Sequence, residues 1–173
     1  MVTYHCLLCG EELQERILEN RPRLACPRCD WIYYPQLKVS AGVLLEDQSK
    51  LLLVQRALEP WKGCWYLPAG FIEVDEDPLI GAQREAKEET GLTVSIKSLR
   101  SISMYQDDPR GNGILILYNA ERINGVLRNS NESTNVDFFL PAEIQALQLA
   151  GSSHSLAIQQ WIEEKEGKVS IGS

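Results

Sequence analysis

One segment constrains the fold of this chain more than any other, and it covers residues 70–92. Asp77 is a residue type that caps helix N-termini, and Pro78 suits the first helical position. Gly91 suits the position just past the end of a helix. These signals predict a helix that starts near Pro78 and stops at Gly91.

Three glutamates crowd the end of this predicted helix. Glu85, Glu88 and Glu89 stand at positions i, i+3 and i+4, so their side chains project from one face within about one turn. Like charges at this spacing repel, and the helix dipole disfavours negative charge near the C-terminal end. Mg²⁺ would remove this conflict, because it prefers oxygen ligands and can bridge phosphates. The alternative is a solvated acidic face paired with Arg84 and Lys87.

The residues around the helix follow a longer pattern, which favours a metal site. From Gly70 the chain reads Gly-x5-Glu-x7-Arg-Glu-Ala-x-Glu-Glu-x-Gly-Leu, and it ends at Leu92. Seven fixed residue types at these spacings match by chance only about once in 10⁸ positions. This pattern is the Nudix box, and the chain resembles Nudix hydrolases.

The resemblance implies an α/β fold, a Nudix α/β/α sandwich with a mixed sheet between helices. It also implies hydrolysis of a nucleoside diphosphate linked to another moiety, with Mg²⁺ or Mn²⁺ as cofactor. Glu85, Glu88 and Glu89 would be metal ligands and catalytic residues. Residues 67–70 are similar to the Leu-Pro-Gly-Gly segment that precedes the box in the family. The backbone carbonyl of Ala69 would therefore be a further metal ligand.

Three other side chains receive roles from the same resemblance. Arg84, also expected to be catalytic, would orient a glutamate of its own helix. Glu76 would brace the loop before the helix by pairing with Arg84. Arg56 ends a Leu-Leu-x-x-Arg stretch, where relatives often place a basic residue near the substrate phosphates. The alternative for Arg56 is an ordinary surface arginine.

One departure from the family pattern concerns the general base. Many relatives carry Glu-x-x-Glu before a strand with Phe or Trp, and the second glutamate binds metal or acts as base. Here Glu132 holds the first position and Asn135 the second, and an amide cannot accept a proton at neutral pH. Glu132 is expected to face the substrate. Either Glu132, Asp137 or a helix glutamate acts as base, or turnover is slow and the substrate unusual.

Residues 1–36 are predicted to form a separate zinc ribbon ahead of a Nudix domain over residues 37–173. Two Cys-x-x-Cys pairs flank sixteen residues, a spacing typical of a structural four-cysteine Zn²⁺ site formed by Cys6, Cys9, Cys26 and Cys29. About 35 residues cannot bury enough apolar surface to fold alone, so the metal would supply stability. Two disulfides or a redox pair are the alternatives.

The combination of ribbon and box narrows the resemblance. It occurs in NADH pyrophosphatases and in a shorter group described as acting on ADP-ribose or FAD. The chain lacks the Ser-Gln-Pro-Trp-Pro-Phe-Pro segment of the NADH pyrophosphatases, so it is similar to the shorter group. The expected substrate is a small nucleotide diphosphate such as ADP-ribose, FAD or a compound like NAD(H), with a nucleoside monophosphate such as AMP released. Hydrolysis of nucleoside triphosphates or prenyl diphosphates, and nucleotide sensing without catalysis, remain alternatives.

Charge and hydropathy exclude other classes of function. The net charge of −7 argues against a nucleic-acid partner, which needs a basic surface. No apolar run approaches the roughly 20 residues of a membrane helix, and the N-terminus lacks a secretion signal. The expected location is therefore the cytoplasm. A homodimer is an assembly that related enzymes often form.

Apolar runs predict the remaining elements. Residues 39–45 and 51–54 read as a hairpin, residues 92–105 and 114–120 as strands, and residues 138–140 as a short strand. Residues 156–165 read as a helix, with Ser152 or Ser153 as its cap. Residues 124–135 are polar and are predicted to form a loop.

Overall fold

The chain divides into two units, Met1–Gln36 and Leu37–Ser173. A computed structural model describes residues 3–167. None of the helices in that range is long and apolar enough to span a bilayer.

The first unit is built on three short antiparallel strands in the order β1-β2-β3. They are β1 (Gln14–Leu18), β2 (Arg21–Ala25) and β3 (Ile32–Tyr33). The buried apolar cluster of this unit is small and consists of Cys6, Leu13 and Cys26. Because so little apolar surface is buried, the unit needs a further source of stability, which bonds from the cysteines to a metal would supply.

The second unit contains seven strands and three helices in the described range. They are β4 (Lys38–Asp47), β5 (Lys50–Arg56), β6 (Trp65–Tyr66), β7 (Ala69–Phe71), α1 (Pro78–Thr90), β8 (Leu92–Tyr105), β9 (Gly113–Gly125), β10 (Ser133–Phe139), α2 (Pro141–Ile144) and α3 (Ser152–Lys165).

The sheet of this unit has the strand order β10-β5-β4-β9-β8, with β6 beside β5 and β7 beside β4. Strands β4 and β9 run parallel, and the other pairs are antiparallel. A mixed sheet with helices is the architecture that the resemblance implied, and that prediction is confirmed.

The central strands are buried on both faces, because successive side chains of a strand point in opposite directions. Val43 of β4 belongs to the apolar cluster that contains Ala86 of α1. Its neighbour Leu44 belongs to the cluster that contains Trp161 of α3. Helix α1 therefore covers one face of the sheet and α3 the other.

The predicted hairpin, the helix after Asp77 and the strand over residues 92–105 are confirmed as β4–β5, α1 and β8. The hairpin turn is tighter than the polar run suggested. It consists of Gln48 and Ser49, both with positive φ (50° and 63°), as two-residue hairpin turns often require.

Two predictions are wrong at the ends of elements. Residues 124–135 do not form one loop, because β9 extends to Gly125 and β10 begins at Ser133. The predicted caps Ser152 and Ser153 lie inside α3, whose N-cap is Gly151.

Candidate active site

Helix α1 holds the glutamates of the box and is fixed at both ends. The Asp77 carboxylate accepts a hydrogen bond from the Leu79 N–H (2.8 Å). Gly91 has a φ of 77°, which glycine adopts without strain, and its N–H donates to the Lys87 carbonyl. Ala82 and Ala86 are fully buried, so the helix packs closely on the sheet. These contacts set the direction in which the glutamates point.

Glu89 is the most deeply buried of the three glutamates, with 6% of its surface exposed. Its carboxylate accepts hydrogen bonds from the Tyr66 hydroxyl and from the Ala69 N–H, the latter at 3.0 Å. Burial raises the pKa of Glu89 to about 8. A positive ion beside this side chain would favour its ionised form.

Glu85 packs against the backbone at Gly70, where a Cβ atom would lie 2.3 Å from the Glu85 carboxyl carbon. Only glycine lets the side chain take this place. Burial raises the pKa of Glu85, although Arg84 Nη1 donates to its carboxylate at 2.6 Å. Glu88, with 60% of its side chain exposed, accepts from the same Nη1 at 3.2 Å.

Arg84 connects the helix to the loop before it. Its Nε and Nη2 each donate to the Glu76 carboxylate at 2.8 Å, and Nη2 also donates to the Phe71 carbonyl. These hydrogen bonds from Arg84 hold the pKa of Glu76 down at about 2. The predicted pairing of Glu76 with Arg84 is confirmed, and it is the bidentate kind that arginine forms best.

The glutamates open into a cavity of about 560 Å³. All residues predicted for the catalytic site line it, namely Arg56, Ala69, Arg84, Glu85, Glu88, Glu89 and Glu132. Asn135 and Asp137 lie on β10 and are not among the lining residues. Of the alternatives for the general base, Glu132 and the helix glutamates therefore face the cavity.

Negative charge dominates this cavity. Among the described residues, three arginines line it, Arg56, Arg84 and Arg110. Seven carboxylates line it as well: Glu73, Glu85, Glu88, Glu89, Asp107, Asp108 and Glu132. Arg84 and Arg110 are already paired with carboxylates. A diphosphate would be repelled from this space unless further cations entered with it.

The four cysteines of the first unit converge on one point. Their Sγ atoms all lie within 4.8 Å of one another, and Cys6–Cys29 and Cys9–Cys26 are each 3.5 Å apart. Four thiolates at about 2.3 Å from one Zn²⁺ ion would have nearly this spacing. All four cysteines are free, so the alternative of two disulfides is contradicted.

Comparison with protein families decides what the second unit is. A family model described as NUDIX domain matches residues 36–160, which is most of the chain. The chain belongs to the Nudix family. A second model, described as Nudix N-terminal, matches residues 4–35, where the ribbon cysteines of this Nudix protein lie.

Individual relatives agree with this assignment. The ADP-ribose pyrophosphatase of Methanocaldococcus jannaschii is 34% identical over 130 residues, which cover 75% of each chain. A MutT-like protein of Streptomyces ambofaciens is 36% identical over 104 residues, or 60% of this Nudix chain and 64% of that protein. The crystal structure of a NUDIX hydrolase from Nitrosomonas europaea has a TM-score of 0.80 at 33% identity and covers 94% of this chain and 92% of its own. The predicted hydrolase family is confirmed.

The donor set of the Nudix box fits a hard divalent cation. Three carboxylates approach the cavity with no sulfur or imidazole ligand among them, and Mg²⁺ and Mn²⁺ favour such oxygen ligands. Two of the carboxylates, Glu85 and Glu89, have a raised pKa because they are buried. A bound cation would compensate this cost of ionisation.

Other residues that line the Nudix cavity were not predicted from the sequence. Tyr66, the partner of Glu89, sits between Trp65 and Leu67, and strand alternation alone could have placed Tyr66 opposite the buried Trp65. Arg110 pairs with Asp108 through two nitrogens, and its guanidinium lies 5.5 Å from the Phe71 ring. No local pattern marks Arg110 as a cavity residue, because the cavity is formed by segments that are far apart in sequence.

Proposed function

We propose that this chain is a Mg²⁺- or Mn²⁺-dependent pyrophosphohydrolase that cleaves a nucleoside diphosphate linked to a second moiety. The observation that carries the proposal is the cavity, where the glutamates of the box and further carboxylates outnumber the arginines. A space of this kind suits phosphates only together with divalent cations. The similarity to the Methanocaldococcus jannaschii ADP-ribose pyrophosphatase favours ADP-ribose as the substrate.

The metal would be held by oxygen atoms. Glu85, Glu88 and Glu89 would supply carboxylates, and Ala69 would supply its backbone carbonyl. When bound, the cations would offset phosphate charge and make an attacking water more acidic. Arg84 would keep Glu85 and Glu88 in place through the contacts that it already makes with both.

Arg56 would bind a non-bridging oxygen of the diphosphate. Its Nε donates to the Pro60 carbonyl at 2.9 Å, and its guanidinium stacks 5.2 Å from the centre of the Tyr66 ring. These contacts hold the Arg56 guanidinium at the wall of the cavity. Among the ion pairs of the described residues, none pairs Arg56 with a carboxylate. An arginine held ready in this way stabilises the charge that develops in phosphoryl transfer.

Glu132 would act on the proton of the attacking water, the role that Asn135 cannot fill. It lies in the loop before β10 and faces the same cavity as the helix glutamates. In the reaction, water adds to one phosphorus, the bridging P–O bond breaks, and ADP-ribose yields AMP and ribose 5-phosphate. A carboxylate takes the proton that the water loses.

The ribbon would have a structural role. Cys6, Cys9, Cys26 and Cys29 would fill all four positions around a Zn²⁺ ion and leave none for water, as in closed structural sites. In this proposal residues 1–36 form the metal-stabilised ribbon and residues 37–173 perform catalysis.

A substrate panel tests the proposal directly. ADP-ribose, FAD, NADH, dinucleoside polyphosphates, nucleoside triphosphates and prenyl diphosphates are each incubated with the protein, with and without Mg²⁺ or Mn²⁺, and the products are identified by mass. The expected result is metal-dependent release of AMP and ribose 5-phosphate from ADP-ribose, and loss of this release in Glu88→Gln.

The matched control is Glu163→Gln, the same chemical change on α3 at a residue that does not line the cavity. It should keep wild-type turnover. If no compound in the panel yields a nucleoside monophosphate, or if Glu88→Gln turns over as fast as the control, the proposed function is wrong.

A further inference from the structure

Two polar atoms at the start of α3 are buried without a partner. Within residues 3–167, Ser153 Oγ and His154 Nδ1 are the buried side-chain nitrogen or oxygen atoms that make no hydrogen bond. Ser153 is 4% exposed, and both residues line the cavity of the candidate active site. A buried polar group without a partner is destabilising, so alanine and phenylalanine would serve stability better at these positions. Their presence points to a ligand that supplies the missing hydrogen bonds.

The charge at this helix end excludes a second anion as that ligand. The first N–H of α3 and the Ser152 hydroxyl both donate to the Asp107 carboxylate, at 2.7 and 2.8 Å. The negative charge that a helix N-terminus attracts is therefore already present. Burial lowers the pKa of His154 to about 4, so the imidazole is neutral at pH 7 and offers one donor and one acceptor. Groups of this kind suit uncharged hydroxyls, which donate and accept as well.

His154 is connected through Tyr66 to the residues proposed to bind the metal and the diphosphate. The His154 ring meets the Tyr66 ring edge to face, with 5.6 Å between centroids. The same Tyr66 donates to Glu89 and carries the Arg56 guanidinium over its ring. Tyr66 therefore contacts both His154 at the start of α3 and Glu89, one of the proposed metal ligands.

An aromatic side chain closes this end of the cavity. Trp61 lines the cavity, and its ring would lie 3.9 Å from a Cβ atom added at Gly151, the residue before α3. Ligand sites commonly combine such an apolar wall with a few placed polar groups. The apolar face of a sugar ring would fit against this wall while its hydroxyls reached Ser153 and His154.

We propose that Ser153 and His154 form a subsite for the vicinal hydroxyls of a ribose bound to the diphosphate. This inference rests on the proposed function for the phosphate position, but not on turnover. Two riboses have this chemistry, the one that leaves as ribose 5-phosphate and the one that leaves in AMP.

Binding of product-like probes tests the subsite without catalysis. In the presence of Mg²⁺, calorimetry compares ribose 5-phosphate with 2-deoxyribose 5-phosphate, and AMP with 2′-deoxy-AMP. For one of the two pairs the wild type is expected to bind the hydroxylated member about five- to tenfold more tightly, as one hydrogen bond allows. Which pair shows the preference identifies the ribose.

The variant that removes the partner of the 2-hydroxyl, either Ser153→Ala or His154→Phe, should lose most of this preference while its affinity for the deoxy member stays unchanged. The matched control is Ser155→Ala, which removes a hydroxyl from the same helical turn, where it donates to the Gly151 carbonyl, and does not line the cavity. The control should keep the preference. The thermal midpoint without ligand gives a second readout. It should stay the same or rise in Ser153→Ala, because that hydroxyl has no partner to lose.

Equal binding of both members of both pairs by the wild type would overturn the inference. So would an unchanged preference in Ser153→Ala and His154→Phe. If these probes bind as expected but no compound of the substrate panel yields a nucleoside monophosphate, the subsite stands and the proposed function fails.

Discussion

The Tyr66 hydroxyl donates a hydrogen bond to the Glu89 carboxylate, and both side chains are buried. Burial raises the pKa of Tyr66, so its hydroxyl keeps the proton that it donates. Together with the Ala69 N–H, this hydroxyl gives each oxygen of the Glu89 carboxylate one hydrogen bond from the protein. The pair therefore fixes one proposed metal ligand before any cation arrives.

Loss of the hydroxyl should weaken the metal site. In Tyr66→Phe, the buried Glu89 carboxylate loses a donor that favours its charged form, so the Mg²⁺ concentration for half-maximal activity should rise about tenfold or more. A Mg²⁺ titration of the hydrolysis rate measures this. Tyr118→Phe on β9, outside the cavity, is the control and should titrate as the wild type does. Equal Mg²⁺ dependence in both variants would contradict this role of Tyr66.

The raised pKa of Glu89 predicts how stability depends on pH without added Mg²⁺ or Mn²⁺. Between its ordinary pKa of 4.5 and the raised value of about 8, folded Glu89 holds a proton that the unfolded chain has released. The stabilisation that accompanies this proton is complete below pH 4.5 and is lost as the pH rises towards 8. His154, whose pKa falls from 6.5 to about 4, acts in the opposite sense up to pH 6.5.

The informative window is therefore pH 6.5 to 8. Urea unfolding should show a loss of about 1–2 kcal/mol across this window in the wild type, and a smaller loss in Glu89→Gln. Added Mn²⁺ should flatten the wild-type profile, because a bound cation favours the carboxylate in the folded state. Parallel profiles for the wild type and Glu89→Gln would show that Glu89 does not titrate in this range.

The bidentate contact of Arg84 with Glu76 requires the shape of the guanidinium as well as its charge. Arg84→Lys keeps a positive charge but cannot make two parallel bonds to Glu76 while also contacting Glu85. The catalytic efficiency kcat/KM should fall about 10–100-fold, the usual effect of losing a group that orients metal ligands. Arg100→Lys, at an ion pair with Glu164 that does not line the cavity, should have little effect. A similar small effect at both positions would exclude an orienting role for Arg84.

Removal of the proposed Zn²⁺ should affect the two units differently. A zinc chelator, or Cys26→Ser, should abolish the folded amide signals of residues 3–36 in a ¹⁵N correlation spectrum, because these residues have a small apolar core. Signals from residues 37–167 should persist. Cys64→Ser, at the cysteine outside the cluster, is the control and should leave both sets intact. Retention of the first set after chelation would argue against structural zinc.

The features that could be predicted from the sequence depend on contacts between residues that are close together in the chain. Helix α1 could be predicted because Asp77, Pro78 and Gly91 act within a few residues of their own positions. The pairing of Glu76 with Arg84 could be predicted because the box fixes their spacing.

The rest of the cavity depends on packing between distant segments. Nothing near Ser152 in sequence indicates that Asp107 would cap α3, which is why the expected serine cap is wrong. Likewise, the contact of Tyr66 with His154 joins β6 to α3 across about ninety residues of chain, and it exists only once the sheet is assembled. Local propensity has no information on such pairs.

The proposed function requires that the crowded glutamates of α1 hold divalent cations. Electron paramagnetic resonance of Mn²⁺ titrated into zinc-loaded protein tests it most directly, with Glu85→Gln compared with the control Glu163→Gln. The wild type and the control should bind Mn²⁺ tightly enough to remove the signal of the free ion, and Glu85→Gln should leave most of that signal in place. Equal Mn²⁺ binding by all three proteins would show that Glu85 does not hold the cation.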